Sequence, residues 1–282
     1  MKTILVPTEQ NAGMAAALDA ALLFAKKFDS CIEGFPLRPA VADMVAMDPD
    51  AGMTMVAVKE NDADMARQAE DLFRSFMERH GMRQLADDAL AASASLSWRW
   101  NAAAPSGHDF VGSYGRVFDL IVVPRPGEEW QSPSMVTLES ALFESGRPVL
   151  IAPPKSPDSI ATNVLIAWNR STEQARATAF AMPLLRLAAR ITILTVEGST
   201  VAGPSGVELA RSLAMNGIAA EPITVSRGKV SAGETVLKNA AELGCDLIVK
   251  GAYTQSRLRQ MIFGGTTRHI LGHATVPVLM AH

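Results

Sequence analysis

Thr162-Asn163-Val164-Leu165-Ile166-Ala167-Trp168-Asn169-Arg170 repeats in pattern the stretch Lys2-Thr3-Ile4-Leu5-Val6-Pro7-Thr8-Glu9-Gln10, with Val164 standing 160 positions after Ile4. Each is a short, apolar, β-branched run that stops at polar residues and is followed by an alanine-rich stretch, which reads as a buried strand entering a helix. Two further echoes follow. Asp119-Leu120-Ile121-Val122-Val123 matches Asp246-Leu247-Ile248-Val249-Lys250, 127 positions later, and Arg147-Pro148-Val149-Leu150-Ile151-Ala152 matches Val276-Pro277-Val278-Leu279-Met280-Ala281, with the prolines 129 positions apart. Self-similarity of this kind decides architecture before any single element does. The fall in offset from 160 to about 128 places about thirty extra residues in the first copy, around 37–63. The chain therefore reads as two domains, 1–154 and 159–282, joined near Pro153–Asp158.

The second copy shows the element order most plainly. Val164–Ala167, Ile191–Val196, Ala219–Val225, Leu247–Val249 and Val276–Met280 read as strands, and Gln174–Ala189, Gly206–Met215 and Ala232–Leu243 as helices between them. Gly217 and Gly244 punctuate the last two. Alternating strands and helices, with right-handed crossovers, give a Rossmann-like, doubly wound parallel sheet. The expectation is thus an α/β protein of two tandem layered domains, each with a five-stranded parallel sheet. Ligands of such sheets bind beyond the carboxyl ends of the strands, where strand order reverses, so the loops after the first and fourth strands are the places to search.

After the fourth strand of the second copy comes Gly251-Ala252-Tyr253-Thr254-Gln255-Ser256-Arg257-Leu258-Arg259-Gln260-Met261-Ile262-Phe263-Gly264-Gly265-Thr266-Thr267. A glycine leaves the strand, a basic loop follows, and Gly264-Gly265-Thr266-Thr267 opens a helix. Free backbone N–H groups and the positive end of a helix suit a phosphate. No Asp or Glu occurs from Leu247 onward, whereas Lys250, Arg257, Arg259 and Arg268 do. On residue physics alone a second reading stands beside this one, in which the glycines make a tight loop and the arginines a solvated face.

These residues resemble the signature of the universal stress protein family: Gly, two residues, Gly, nine residues, then Gly-Ser or Gly-Thr, a helix and a Pro-Val-Leu strand. Gly251 and Gly264 take the first and third glycine positions and Val276-Pro277-Val278-Leu279 closes the pattern. The resemblance runs over both halves and implies the adenine nucleotide α-hydrolase-like, flavodoxin-like layered fold. It further implies a cytoplasmic, ATP-type nucleotide-binding protein of the stress response, with Mg²⁺ as a candidate companion ion. The implied site comprises Asn169 in the place of the family's first-strand Asp, Ser171, Val196 at the end of the second strand, and Gly251, Thr254, Arg257, Gly264, Gly265, Thr266 and Thr267 around the phosphates. Three positions depart from the pattern: Thr254 replaces the second glycine, Gly265 replaces the usual Ser, and Asn169 carries no charge. The alternative is a scaffold of this fold that has lost its nucleotide. The implied assembly is a pseudo-dimer of the two halves through their last strands, as the family's homodimers pair, with a homodimer of the whole chain a further candidate.

The corresponding loop of the first copy, Pro124 to Ser134, has no spaced glycines, and Arg125 to Arg147 holds four Glu against two Arg. That half is expected to repel phosphate and to serve a structural or regulatory role. Composition narrows the rest. With 26 Lys+Arg against 29 Asp+Glu the formal net charge is −3, which offers no general field for nucleic acid or acidic membranes. Two distant cysteines, Cys31 and Cys245, predict reduced thiols and a reducing compartment. Met1–Gln10 turns polar too early for a secretory h-region, and no apolar run reaches the ~18 residues of a membrane span. His269 and His273 share a helical spacing, but without a third ligand nearby they read as helix C-terminal residues rather than a metal site. No nucleophile elbow, Walker-type loop or dinucleotide glycine motif is present, so strong catalysis is not expected. Met44, Met47, Met53, Met55, Met65, Met77 and Met82 supply half of the 14 methionines and mark the inserted region either as a filler of the first domain or as a mobile or docking surface.

Overall fold

The structure, a computed structural model, describes residues 1–40, 55–85, 96–127, 132–252 and 265–282, with the backbone alone for 55–59. It divides into two compact units, Met1–Arg147 and Pro148–His282.

In the first unit the elements are β1 (Thr3–Thr8), α1 (Met14–Phe28), β2 (Cys31–Pro36), α2 (Met55–Arg79), β3 (Arg83–Gln84), β4 (Ser97–Trp100), α3 (Asp109–Gly115), β5 (Leu120–Pro124) and α4 (Met135–Glu144). The sheet order is β3-β4-β2-β1-β5 and every pair is parallel. Ile4, Leu5, Val6, Leu120, Ile121 and Val122 are fully buried, as strands covered on both faces must be. The end of the insertion, 55–63, is the first part of α2, which is thus longer than its sequence pattern around Asp64–His80 suggests. Phe73 of α2 sits over Gly34 of β2, where a Cβ would lie 2.6 Å from the ring, and packs against Trp98 and Trp100 with centroids 5.9 and 5.2 Å away. Met77 and Met82 are buried there, which makes them core filler; Met44, Met47 and Met53 lie outside the described residues.

The second unit contains β6 (Val149–Ala152), β7 (Asn163–Ala167), α5 (Thr172–Leu185), β8 (Arg190–Val196), α6 (Gly206–Met215), β9 (Glu221–Val225), α7 (Ala232–Glu242), β10 (Leu247–Gly251), α8 (Gly265–His273) and β11 (Val278–Ala281). Five parallel strands run β11-β10-β7-β8-β9, and β6 adds antiparallel to β11 with Leu150 opposite Leu279. Val149–Ala152, the counterpart of β11 in the repeat, thus lies within the second unit. Local chemistry sets the helix ends. Ser171, Ser205 and Ser231 cap α5, α6 and α7, each hydroxyl accepting from the third helical N–H, and Glu208 returns the bond to Ser205. Gly217 and Gly244, at φ +74° and +64°, close α6 and α7: Ile218 N–H donates to Leu213 O and Cys245 N–H to Ala240 O.

One repeated device ties the start of β7 to the residue just before its neighbour β10, and the start of β1 to the residue just before its neighbour β5. Asp246 accepts from the N–H groups of Thr162 and Asn163 at 2.8–3.0 Å and from the Ser159 hydroxyl. Asp119 does the same for Lys2 and Thr3. The two aspartates of the repeat thus hold equivalent strand starts in the two units although the intervening chain differs in length.

Candidate functional site

Strand order reverses between β7 and β10, and the crevice beyond their carboxyl ends is where a doubly wound sheet admits a ligand. The chain leaving β7 is held down at once. Trp168 N–H donates to Leu194 O at 2.8 Å, and its indole Nε1 donates to Pro204 O at 2.9 Å. Asn169 follows; its Oδ1 accepts from Ser171 N–H at 3.2 Å and its carbonyl from Val201 N–H at 3.1 Å. Arg170 is in the left-handed region, φ +71°, which turns the chain sharply into α5.

The result is a cleft of about 390 Å³, within the range of small-molecule sites. Ala167, Trp168 and Asn169 form its β7 side, Leu194 and Val196 its β8 side, and Ser199–Val201 one rim. Ala232 and Val236 of α7, Lys250 of β10, and Gly265, Thr266 and Thr267 of α8 complete it. Among the described residues that line it, none is acidic and one, Lys250, is basic.

Lys250 is the unusual member. It sits in an otherwise apolar strand and is 6% exposed. Its Nζ donates to Gly251 O at 2.8 Å and to Thr267 Oγ1 at 3.0 Å, both neutral acceptors. Burial pulls its pKa down from 10.5 to about 8, against a smaller opposing pull from Glu173.

Of the residues expected from sequence, Asn169, Val196, Gly265, Thr266 and Thr267 meet in this cleft. Ser171 and Gly251 do not line it. The Ser171 hydroxyl is the N-cap of α5. Gly251 is buried against that helix: a Cβ would stand 2.3 Å from Gln174 N, so packing alone demands glycine. Gly265 differs, since among the described residues a Cβ there would meet nothing within 4 Å. Thr254, Arg257 and Gly264 lie outside the described residues. Trp168, Ser199–Val201 and the α7 pair were not foreseen, and Lys250 was expected only as one of the basic residues after Leu247. For Lys250 the signal was present, a lysine where the first copy has Val123.

The equivalent corner of the first unit is built differently. Glu9 stands where Asn169 does, its carboxyl pushed up by burial and accepting from Asn11 Nδ2 at 2.8 Å. Pro124 replaces Gly251, and the N-terminus of α1 accommodates it with Gly13, where a Cβ would lie 2.8 Å from Pro124 and 3.2 Å from Pro133. Small residue and bulky residue have exchanged places between strand end and helix start.

Residues 161–282 match the model of the universal stress protein family. This segment is a universal stress protein domain. Among solved structures, the full chain is similar to a universal stress protein from Archaeoglobus fulgidus DSM 4304, at 16% identity and a TM-score of 0.71, covering 99% of this chain and 97% of that one. A putative universal stress protein from Pseudomonas aeruginosa UCBPP-PA14 matches at 16% identity and a TM-score of 0.54, covering 100% and 93%. At these identities the likeness shows the fold, and it extends over the first unit as well as the universal stress protein domain. No curated protein sequence matches the chain. In the universal stress protein domain the cleft lies wholly within the matched segment. No helix among the described residues is long and apolar enough to cross a membrane, and no cluster of three metal-ligating side chains occurs among them. His269 and His273 stack at 4.3 Å, with His273 Nδ1 against His269 O at 2.9 Å, in keeping with a helix-end pair.

Proposed function

We propose that the chain binds one ATP-type nucleotide in the cleft of its second unit and acts in a stress response through the conformation or partner contacts that binding sets. The observation that carries this reading is the convergence, at the switch point of the sheet, of Asn169, Val196 and the first turn of α8 around a cleft free of acidic lining among the described residues. Leu194, Val196 and Val236 offer apolar surface to a base, Asn169 carries both a donor and an acceptor suited to a sugar or base edge, and Gly265–Thr267, the first turn of α8, border the cleft with backbone amides of the kind that suits a phosphate. Among the described lining residues there is no carboxylate or histidine, and the one titratable group, the Lys250 amine, is tied to Gly251 O and Thr267 Oγ1 rather than free to take a proton from water, so hydrolysis is at most slow. Mg²⁺ would arrive with the nucleotide rather than reside in the protein. The first unit, with Glu9 and Pro124 at its corresponding corner, is a structural or regulatory partner. Cys31 and Cys245, both free thiols, suit a reducing cytoplasm.

A second reading, a scaffold without a nucleotide, is favoured by Gly251: packing against α5 accounts for it fully, so its presence does not by itself report a ligand. Calorimetric titration of the full chain with ATP, ADP, AMP and cyclic AMP, with and without Mg²⁺, separates the two. Saturable heat with at least one adenine nucleotide supports the first reading, and silence from all of them leaves the scaffold.

A further inference from the structure

Lys250 presents a physical problem that the fold does not solve. An ammonium removed from water needs a counter-charge, because neutral acceptors alone leave much of its lost hydration uncompensated. Here the acceptors are a carbonyl and a hydroxyl, and among the described residues no carboxylate lies within 4 Å of it. The charged group acting on it from the packed elements is Glu173, in the first turn of α5, and it is too weak to restore the ordinary lysine pKa. Its hydroxyl partner, Thr267, belongs to the first turn of α8, whose positive end lies on the same side and does nothing to stabilise a cation. Yet the position is at the cleft wall, where an apolar side chain would fill the strand without burying a charge, as Val123 does in the first unit.

We propose that Lys250 is the anion-recognition residue of this cleft: its ammonium pairs with a phosphate-type oxygen of the bound ligand, while Gly251 O and Thr267 Oγ1 hold the amine in place. The inference rests on the reading above only for the identity of the ligand. It adds that phosphorylation is what the site selects and that binding is linked to the protonation of one amine. The free amine titrates near pH 8, so the phosphate-binding form is abundant at pH 7 and scarce at pH 9.5. If the bound amine keeps its proton, affinity for a phosphate falls by about thirtyfold between those pH values.

The test titrates the full chain and K250M, without Mg²⁺, with adenosine, ADP and inorganic pyrophosphate at pH 7.0 and 9.5. The proposal predicts that K250M weakens ADP and pyrophosphate at least tenfold and adenosine less than threefold. It also predicts that the loss of ADP affinity at pH 9.5 disappears in K250M. ADP binding equally tightly to both proteins, with the same pH profile, overturns the role of Lys250 and leaves the nucleotide reading standing. Pyrophosphate bound by the wild type alone, with ADP no tighter than pyrophosphate, upholds Lys250 and overturns the nucleotide. Neither anion binding to the wild type at pH 7.0 overturns both. Retention of the wild-type circular dichroism by K250M excludes misfolding as the cause.

Discussion

The backbone N–H of Gly251 donates to Gln174 Oε1 at 2.8 Å, and Gln174 Nε2 donates in turn to Val249 O at 3.2 Å. One buried side-chain amide thus completes the hydrogen bonding at the end of β10 and fixes α5 against it. Gln174→Ala leaves a buried donor and a buried acceptor unmet and is expected to destabilise the protein by about 2 to 4 kcal/mol, taking ~1 to 2 for each group. Gly251→Ala forces a Cβ onto backbone that cannot yield, and its loss should equal or exceed that of Gln174→Ala. Urea denaturation of the two variants checks both the size and the order.

Gly265 invites the opposite experiment. Added bulk meets no atom of the described residues there, and alanine favours the first turn of a helix over glycine, so Gly265→Ala should leave the melting temperature unchanged or slightly raised. If a phosphate approaches these amides closely, the same variant weakens ADP by about tenfold. Thermal melts with and without ADP report both effects on one sample.

The buried ammonium makes stability depend on pH with a definite sign. Between pH 8 and 10.5 the unfolded chain holds a proton on Lys250 that the folded chain has released, so stability rises with pH across that window. Below it, keeping the ammonium buried costs about 3 kcal/mol. Above pH 9 the slope is opposed by thiols and a phenol whose protons the fold retains: burial pushes Cys31 up, Cys245 to about 11 and Tyr114 to about 12. The informative range is therefore pH 7 to 9. K250M is expected to exceed the wild type in stability at pH 7 by up to ~3 kcal/mol, with a gap that narrows towards pH 9. A gap that stays constant with pH would show that the lysine is not carrying a strained proton.

The thiols supply an independent check on burial. Cys245, buried and with Asp246 beside it, is protonated well above neutrality, so iodoacetamide at pH 8 should modify it far more slowly than a free thiol. Its labelling rate, read by mass spectrometry, should rise to that of the unfolded protein only in denaturant.

Much of the architecture was legible in the sequence because the repeat carries it. The apolar runs beginning at Ile4 and Val164 and the glycines after α6 and α7 are local signals whose meaning does not depend on distant partners, whereas Asp119 and Asp246 show in the sequence only as repeated residues and act as anchors through partners far away in the chain. The site was legible only in part. Asn169, Val196 and Gly265–Thr267 are placed by strand ends and a helix start, which sequence can locate. Gly251 and Ser171 have residue types that suit a ligand and yet are accounted for by helix packing and capping, a distinction that only tertiary contact reveals. Trp168, the 199–201 rim and the α7 wall come from segments whose arrival at the cleft is a matter of sheet order. The length of α2 and its aromatic contacts with β4 likewise follow from pairings far apart in the chain.

Equilibrium dialysis of the full chain against radiolabelled ATP at saturating concentration tests the account most directly. One equivalent per chain, displaced by unlabelled ADP, is the predicted result, since the cleft with Asn169, Lys250 and the α8 turn belongs to the second unit, while the described corner of the first carries Glu9 and Pro124. Two equivalents would contradict the assignment of the first unit, and none would contradict the nucleotide itself.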